Sequence, residues 1–149
     1  MSKLQITLFG GFAVTLNAQP VTNFRSAKSR ALLAYLATQP DRAHARSTLA
    51  TLLWGDLSDS SAKTNLRIEL SNLNKLLGKH PALTITRGTV SFNREWATVD
   101  VIDFQAAVRT FLALPLEAQT TQLAQLTAAL AEYQGEFLAG FHVADALEF

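Results

Sequence analysis

The sequence contains no cysteine among its 149 residues, which excludes disulfides and thiolate metal sites. No apolar run approaches the roughly 20 residues that a membrane-spanning helix needs. The first residues, MSKLQITLFGGF, have one lysine and then alternate between polar and apolar types, which is unlike a signal peptide. The apolar content is ordinary for a globular protein. We therefore expect a soluble, cytoplasmic chain that buries a core.

Motifs of the common enzyme classes are also absent. The three histidines, His44, His80 and His142, are widely separated and have no spacing that ligates a metal. The Gly10-Gly11 pair lacks the helix and Lys-Ser/Thr that follow in a phosphate-binding loop, and no Gly-x-Ser-x-Gly elbow occurs. We predict a protein that is not an enzyme and holds no cofactor or metal.

Charge is unevenly distributed along the chain. The net charge is +1, but residues 1–100 hold 12 Lys and Arg against six Asp and Glu, a net charge of +6. Residues 101–149 hold one arginine against six acidic residues, a net charge of −5. This division favours a polyanion-binding module joined to a segment that does not touch the polyanion. Chance segregation between two surfaces is the alternative.

The stretch from Ser60 to Leu77 predicts a helix of about five turns, because its apolar residues recur at helical spacing. The apolar stripe comprises Ala62, Leu66, Leu70, Leu73 and Leu77, and the one acid, Glu69, lies close to it. The other side carries hydroxyls, amides, cations and one aliphatic: Ser61, Thr64, Asn65, Arg67, Ile68, Ser71, Asn72 and Lys75. These types can bond base edges and phosphates and touch a thymine methyl, as a DNA major groove requires. A solvated amphipathic helix is the alternative interpretation.

The residues before this helix predict a small antiparallel sheet and two helices. Alternating residues on both sides of Gly10-Gly11 predict a hairpin, which a short strand over Pro20 to Thr22 completes. Helices are predicted over Ser26 to Thr38 and over Arg46 to Trp54. We interpret Trp54 as a side chain that fills space in the core. Asp59 or Ser60 can cap the central helix, and Gly78 ends it.

The residues after it, Ala82 to Asn93, predict a second hairpin with Arg87-Gly88 at the tip. In this register Thr86 faces Thr89, Ile85 faces Val90 and Leu83 faces Phe92, so the apolar residues share one face. A type I′ turn would place Arg87 at positive φ, and a bulged turn is the alternative. The arginine is either an ordinary surface residue or a wing tip for a DNA minor groove.

The order of sheet, two helices, polar-faced helix and hairpin is that of an α+β winged helix, whose third helix enters the major groove. Residues 4–100 resemble the DNA-binding domain of OmpR-type response regulators, in particular the version found in SARP activators. The stretches that carry the resemblance are LQITLFGGFAVTLNAQPV, SRALLAYLA, LATLLWGD, SSAKTNLRIELSNLNKLLG and ITRGTVSF. The chain departs from the family at Asn17-Ala18, where a glycine is usual, and at Asn72 and Asn74, where arginine is frequent.

The resemblance continues beyond the second hairpin. VDVIDFQAAV and EYQGEFLAGF look like the opening of the bacterial transcriptional activator domain, an all-α, TPR-like module. Two helical stripes around a turn with Pro115 predict a helical hairpin: Phe104, Val108 and Phe111, then Leu123, Leu126, Leu130 and Tyr133. We therefore divide the chain into a winged-helix domain over 1–98 and a truncated TPR-like domain over 99–149. Such a unit needs neighbours to cover its apolar face, so we expect either a longer regulator or self-association.

The resemblance implies a sequence-specific DNA-binding transcriptional regulator. It assigns base contacts to Thr64, Asn65, Arg67, Ile68, Ser71 and Asn72, phosphate contacts to Arg46, Lys63 and Lys75, and the minor groove to Arg87. The implied partner is double-stranded promoter DNA in direct repeats; RNA polymerase and a second copy bound through the C-terminal helices remain open as further partners. The alternative function is a protein–protein interaction or dimerisation module whose winged helix no longer binds DNA.

Overall fold

The structure is a computed structural model that describes residues 3–117 and residue 123. The first predicted helix of the TPR-like hairpin lies within this range. Most of the second, from Leu126 onward, lies outside the described residues, and so do the apolar residues of 137–149. The TPR-like hairpin and the division of the chain at residue 98 therefore stay predictions.

An N-terminal sheet of four short strands occupies one side of the molecule. Its strands, in the order in which they lie side by side, are β3 (Gln19–Pro20), β2 (Ala13–Leu16), β1 (Leu4–Thr7) and β7 (Ala97–Val99). The turn between β1 and β2 contains Gly10 and Gly11 at φ values of 75° and 128°, a conformation that glycine adopts without steric cost. The predicted third strand, Pro20 to Thr22, overlaps the observed one only at Pro20. The strand β7, which pairs with β1 in parallel, was not predicted.

Three helices pack together beside this sheet: α1 (Ala27–Thr38), α2 (Arg46–Trp54) and α3 (Asp59–Leu76). The bounds of α2 agree with the prediction. The cap of α3 was predicted wrongly. Ser58, rather than Asp59 or Ser60, caps the helix, because its Oγ accepts the N–H of Ser61 at 3.3 Å.

The end of α3 is fixed at Gly78, as the sequence predicts. Gly78 has a φ of 64° and its N–H bonds the Lys75 carbonyl at 3.0 Å. The N–H of Lys79 bonds the Asn74 carbonyl at 2.8 Å, which completes a Schellman motif. The helix therefore stops sharply before the second hairpin begins.

A second sheet contains the hairpin that we call the wing, residues 82–93. Its strands lie in the order β4 (His44–Ala45), β6 (Thr89–Phe92) and β5 (Leu83–Ile85). The register is the predicted one, with Leu83 opposite Phe92 and Ile85 opposite Val90. The strand β4 was not predicted. It pairs with β6 immediately before α2 begins, so it attaches the wing to the start of that helix.

The helix α4 (Asp100–Ala113) follows β7 and packs against the N-terminal sheet. The Asp100 carboxylate accepts the N–H of Leu8 at 2.8 Å through Oδ1 and that of Phe9 at 3.1 Å through Oδ2. The rings of Phe9 and Phe104 meet edge to face, with centroids 5.8 Å apart. The first residues of the predicted second domain therefore contact the residues that directly follow β1.

The core lies where α1, α2 and α3 meet the sheets. The predicted stripe of α3 is confirmed, since Ala62, Leu66, Leu70, Leu73 and Leu77 are all buried. Trp54 is also buried, and Lys28 Nζ lies 5.4 Å from its ring centroid. Within the described residues, no helix is both long enough and apolar enough to span a membrane.

Candidate nucleic-acid interface

The outward face of α3 carries no carboxylate after the first turn of the helix. Glu69 is only 6% exposed. Its Oε1 accepts the Ser26 hydroxyl at 3.3 Å and lies 3.8 Å from Arg25 Nη1. Because this carboxylate points into the fold, the charged side chains exposed on α3 after Asp59 are all cationic. Such a surface attracts a polyanion without local repulsion.

A groove of ≈ 490 Å³ lies between the N-terminal half of α3 and the tip of the wing. Its lining combines residues of α2, α3 and the wing: Arg46, Ser47, Lys63, Thr64, Leu66, Arg67, Arg87 and Gly88. We call it the basic groove, since these described residues include four cations and no acid. It brings together five of the ten predicted site residues, which are far apart in sequence: Arg46, Lys63, Thr64, Arg67 and Arg87.

The other five predicted residues lie on α3 outside the lining of the basic groove. Ser71 and Lys75 are exposed and extend the row of Thr64 and Arg67 by one and two further turns. Ile68 is half-buried on the same row, while Asn65 and Asn72 are half-buried to its side. The predicted face is therefore continuous along the helix, and its two asparagines are the least accessible polar members.

The hydroxyl of Thr64 already has a partner inside its own helix. Thr64 Oγ1 donates to the Ser60 carbonyl at 3.0 Å. The side chain therefore presents acceptor lone pairs and a methyl group to the groove, while its donor is used. These groups suit a cytosine amino group or a thymine methyl better than a base acceptor.

The wing tip has a geometry that the sequence did not predict. Arg87 does not have positive φ, so a type I′ turn is excluded. The Thr86 N–H donates to the Thr89 carbonyl at 2.9 Å, and the Thr89 N–H donates to Thr86 Oγ1 at 2.9 Å. The Thr86 hydroxyl therefore replaces its own carbonyl as the acceptor that closes the turn.

The Thr86 carbonyl bonds Arg46 instead. Arg46 Nε and Nη2 donate to this oxygen at 3.0 and 2.7 Å, and the Arg46 backbone N–H donates to the Gly88 carbonyl at 3.0 Å. The contact of Arg46 with phosphate stays a prediction. The sequence did not predict that Ser47, Thr86 and Gly88 belong to the site. For Thr86, the signal in the sequence was the pair of threonines that flank Arg87-Gly88.

The fold resembles that of a solved structure, Mycobacterium tuberculosis EmbR in complex with a low affinity phosphopeptide. The TM-score is 0.77 at 25% sequence identity, and the match covers 95% of this chain. The similarity supports a winged-helix fold, with which the four helices and two sheets of the described residues agree. The chain spans 38% of the length of the EmbR chain, so the properties of whole EmbR do not transfer to it directly. Neither a protein-family model nor a curated protein sequence matches the chain.

Proposed function

We propose that the protein is a sequence-specific DNA-binding transcriptional regulator, in which α3 enters the major groove and the wing tip enters the minor groove. The observation that carries the proposal is the basic groove. It places Lys63 and Arg67 of α3 across from Arg87 of the wing, beside a helix face that carries no exposed carboxylate after Asp59. The similarity of the fold to EmbR supports a regulatory role rather than a catalytic one.

The side chains of α3 divide by chemistry in this proposal. Arg67 has the bidentate donors that recognise guanine, and Asn65 and Asn72 have amides that can pair with adenine. Ile68 and the Thr64 methyl contact thymine methyl groups, and Ser71 contacts either kind of base edge. Lys63 and Lys75 are point charges for phosphates, and Arg87 reaches the narrow minor groove.

The proposed ligand is double-stranded promoter DNA with direct repeats, bound by two copies in head-to-tail order. If the protein activates transcription, RNA polymerase is a further proposed partner. In this proposal the protein is not an enzyme, and it needs no metal or cofactor to bind DNA.

The deciding experiment selects bound sequences from random duplex DNA with the full chain and then titrates the best site at two salt concentrations. An enriched motif with steep salt dependence, made shallower by Lys75→Ala, would support a groove-reading regulator. Weak binding to every duplex without an enriched motif would overturn the proposal.

A protein–protein interaction module is the second candidate. The observation that favours it is the small number of cations on α3, whose exposed charged side chains after Asp59 are Lys63, Arg67 and Lys75. Few cations weaken the electrostatic part of DNA binding. The discriminating observation is a complex or dimer that covers Arg67 and Lys75, which the DNA-binding proposal requires to be accessible.

A further inference from the structure

We infer that Arg46 is the positioning residue of the wing and sets where Arg87 stands relative to α3. This inference rests on the proposed function, because it concerns how the wing reaches the minor groove. It also assigns Arg46 a role different from the phosphate contact that the sequence predicts.

The first support is the set of bonds that Arg46 makes. Its guanidinium donates twice to the Thr86 carbonyl, at 3.0 and 2.7 Å, and its backbone N–H donates to the Gly88 carbonyl at 3.0 Å. These two carbonyls belong to the residues on either side of Arg87. One residue of α2 therefore holds both ends of the short segment that carries the wing-tip arginine.

The second support is the way in which the wing tip makes room for this contact. A tight turn ordinarily uses the carbonyl of its first residue to accept the N–H of its fourth. Here Thr86 Oγ1 accepts the Thr89 N–H at 2.9 Å, and the same hydroxyl lies 2.8 Å from Thr89 Oγ1. The Thr86 carbonyl is thereby left to the Arg46 guanidinium. The contact of Arg46 with this carbonyl therefore depends on the Thr86 hydroxyl, which accepts the Thr89 N–H in its place.

The third support is the connection from the wing to α3. Strand β4 pairs with β6 through Ala45 opposite Thr89, and the bond from Arg46 to Gly88 continues this pairing to the first residue of α2. The helix α2 in turn packs closely on α3. A shift of the wing tip relative to α3 therefore requires the bonds of Arg46 to break.

Lysine cannot reproduce this arrangement, because an ammonium group lacks the planar pair of donors that a guanidinium directs at one oxygen. Arg46→Lys keeps the charge of the basic groove and removes the paired bond. Thr86→Val changes no charge. In that variant the Thr89 N–H loses its hydroxyl acceptor and competes with Arg46 for the Thr86 carbonyl.

The first test measures amide hydrogen exchange in the chain without DNA, so it does not depend on DNA binding. We expect exchange of the Thr86 and Thr89 amides to become about tenfold faster in Arg46→Lys and in Thr86→Val, with the amides of α3 unchanged. Lys63→Gln is the matched control for a change in the basic groove, and Thr84→Val is the control for the same substitution on the exposed side of β5. Unchanged exchange at the tip in Arg46→Lys would overturn the inference.

The second test is a double-mutant cycle on the selected duplex. Arg87→Ala should lower affinity about tenfold in the wild-type chain and less than about threefold in the Thr86→Val background, because the wing-tip arginine is already misplaced there. Losses that multiply would show that Arg87 acts independently of this arrangement and would overturn the inference. If the wild-type chain binds no duplex selectively, the proposed function fails, and the exchange test still decides whether Arg46 holds the wing.

Discussion

At the scale of single residues, Arg67 and Lys75 represent the two kinds of contact that a DNA-binding helix makes. Arg67 is proposed to contact a base, and Lys75 is proposed to contact a phosphate. Both are exposed on α3, but only Arg67 lines the basic groove. We expect Arg67→Ala to weaken binding to the selected site by about 1–3 kcal/mol and to relax the preference at one base position. Lys75→Ala should weaken binding to all sequences alike. Affinities for a panel of single-base variants of the site measure both effects, and equal losses on every sequence for Arg67→Ala would contradict its role in base reading.

A second prediction at this scale concerns stability and the turn between β2 and β3. Asn17 and Ala18 have φ values of 53° and 66°, where an L-residue other than glycine is strained by roughly 1–2 kcal/mol. Asn17 has a compensating bond, since its Oδ1 accepts the Lys3 N–H at 2.8 Å. Alanine has no polar side chain to form one. We expect Ala18→Gly to raise the free energy of unfolding by about 1 kcal/mol, measured by urea denaturation.

Ala13→Gly is the matched control for this substitution. Ala13 is also exposed, but it lies in the regular strand β2 and lacks positive φ. Glycine there should lower the free energy of unfolding by about 0.5–1 kcal/mol, because it adds only backbone entropy to the unfolded chain. A loss of stability in Ala18→Gly equal to that of the control would show that the turn is unstrained.

At the scale of elements, the turn from α2 to α3 depends on a glycine for a reason other than positive φ. Gly55 has an ordinary helical conformation with φ −64°, but a Cβ atom at this position would lie 2.7 Å from the Thr51 carbonyl oxygen. We expect Gly55→Ala to lower the free energy of unfolding by about 1–3 kcal/mol, since a backbone atom must move. Gly88→Ala is the control, because no atom lies within 4 Å of its added Cβ. Thermal unfolding of both variants checks this, and two equally stable proteins would contradict it.

Elements that carry a repeated local pattern could be predicted from the sequence. The leucines of α3 gave its buried face, and the alternation on both sides of Arg87-Gly88 gave the register of the wing. The two strands that were missed, β4 and β7, are as short as β3 and β5, which were predicted. The difference lies in the pairing: β3 and β5 pair with the strand next to them in sequence, whereas β4 and β7 pair with distant segments. Prediction therefore failed where the pairing was least local.

The candidate site shows the same limit. The row of Thr64, Arg67, Ser71 and Lys75 follows from helical spacing alone. The basic groove does not, because β4 must first bring Arg46 to the wing. The bond from Arg46 to Thr86 required a further condition, namely a threonine hydroxyl that replaces a carbonyl in the turn. No periodicity in the sequence encodes that exchange of acceptors.

At the scale of the whole molecule, the position of charge should matter for DNA binding and the net charge should not. Lys63→Ala and Arg109→Ala each remove one positive charge, so they change the net charge of +1 identically. Lys63 lies in the basic groove, whereas Arg109 is the one basic residue of the acidic half and is exposed on α4. A phosphate contact releases counterions only where a cation meets DNA.

We therefore expect Lys63→Ala to reduce the slope of log K against log salt concentration by about 1, and Arg109→Ala to leave it unchanged. Titration of the selected duplex at several salt concentrations measures both slopes on the same DNA. Because the two variants carry equal net charge, any difference between them comes from where the charge lies. Equal reductions in slope would mean that the net charge of the whole chain attracts DNA. That result would contradict the proposal that the basic groove is the DNA contact surface.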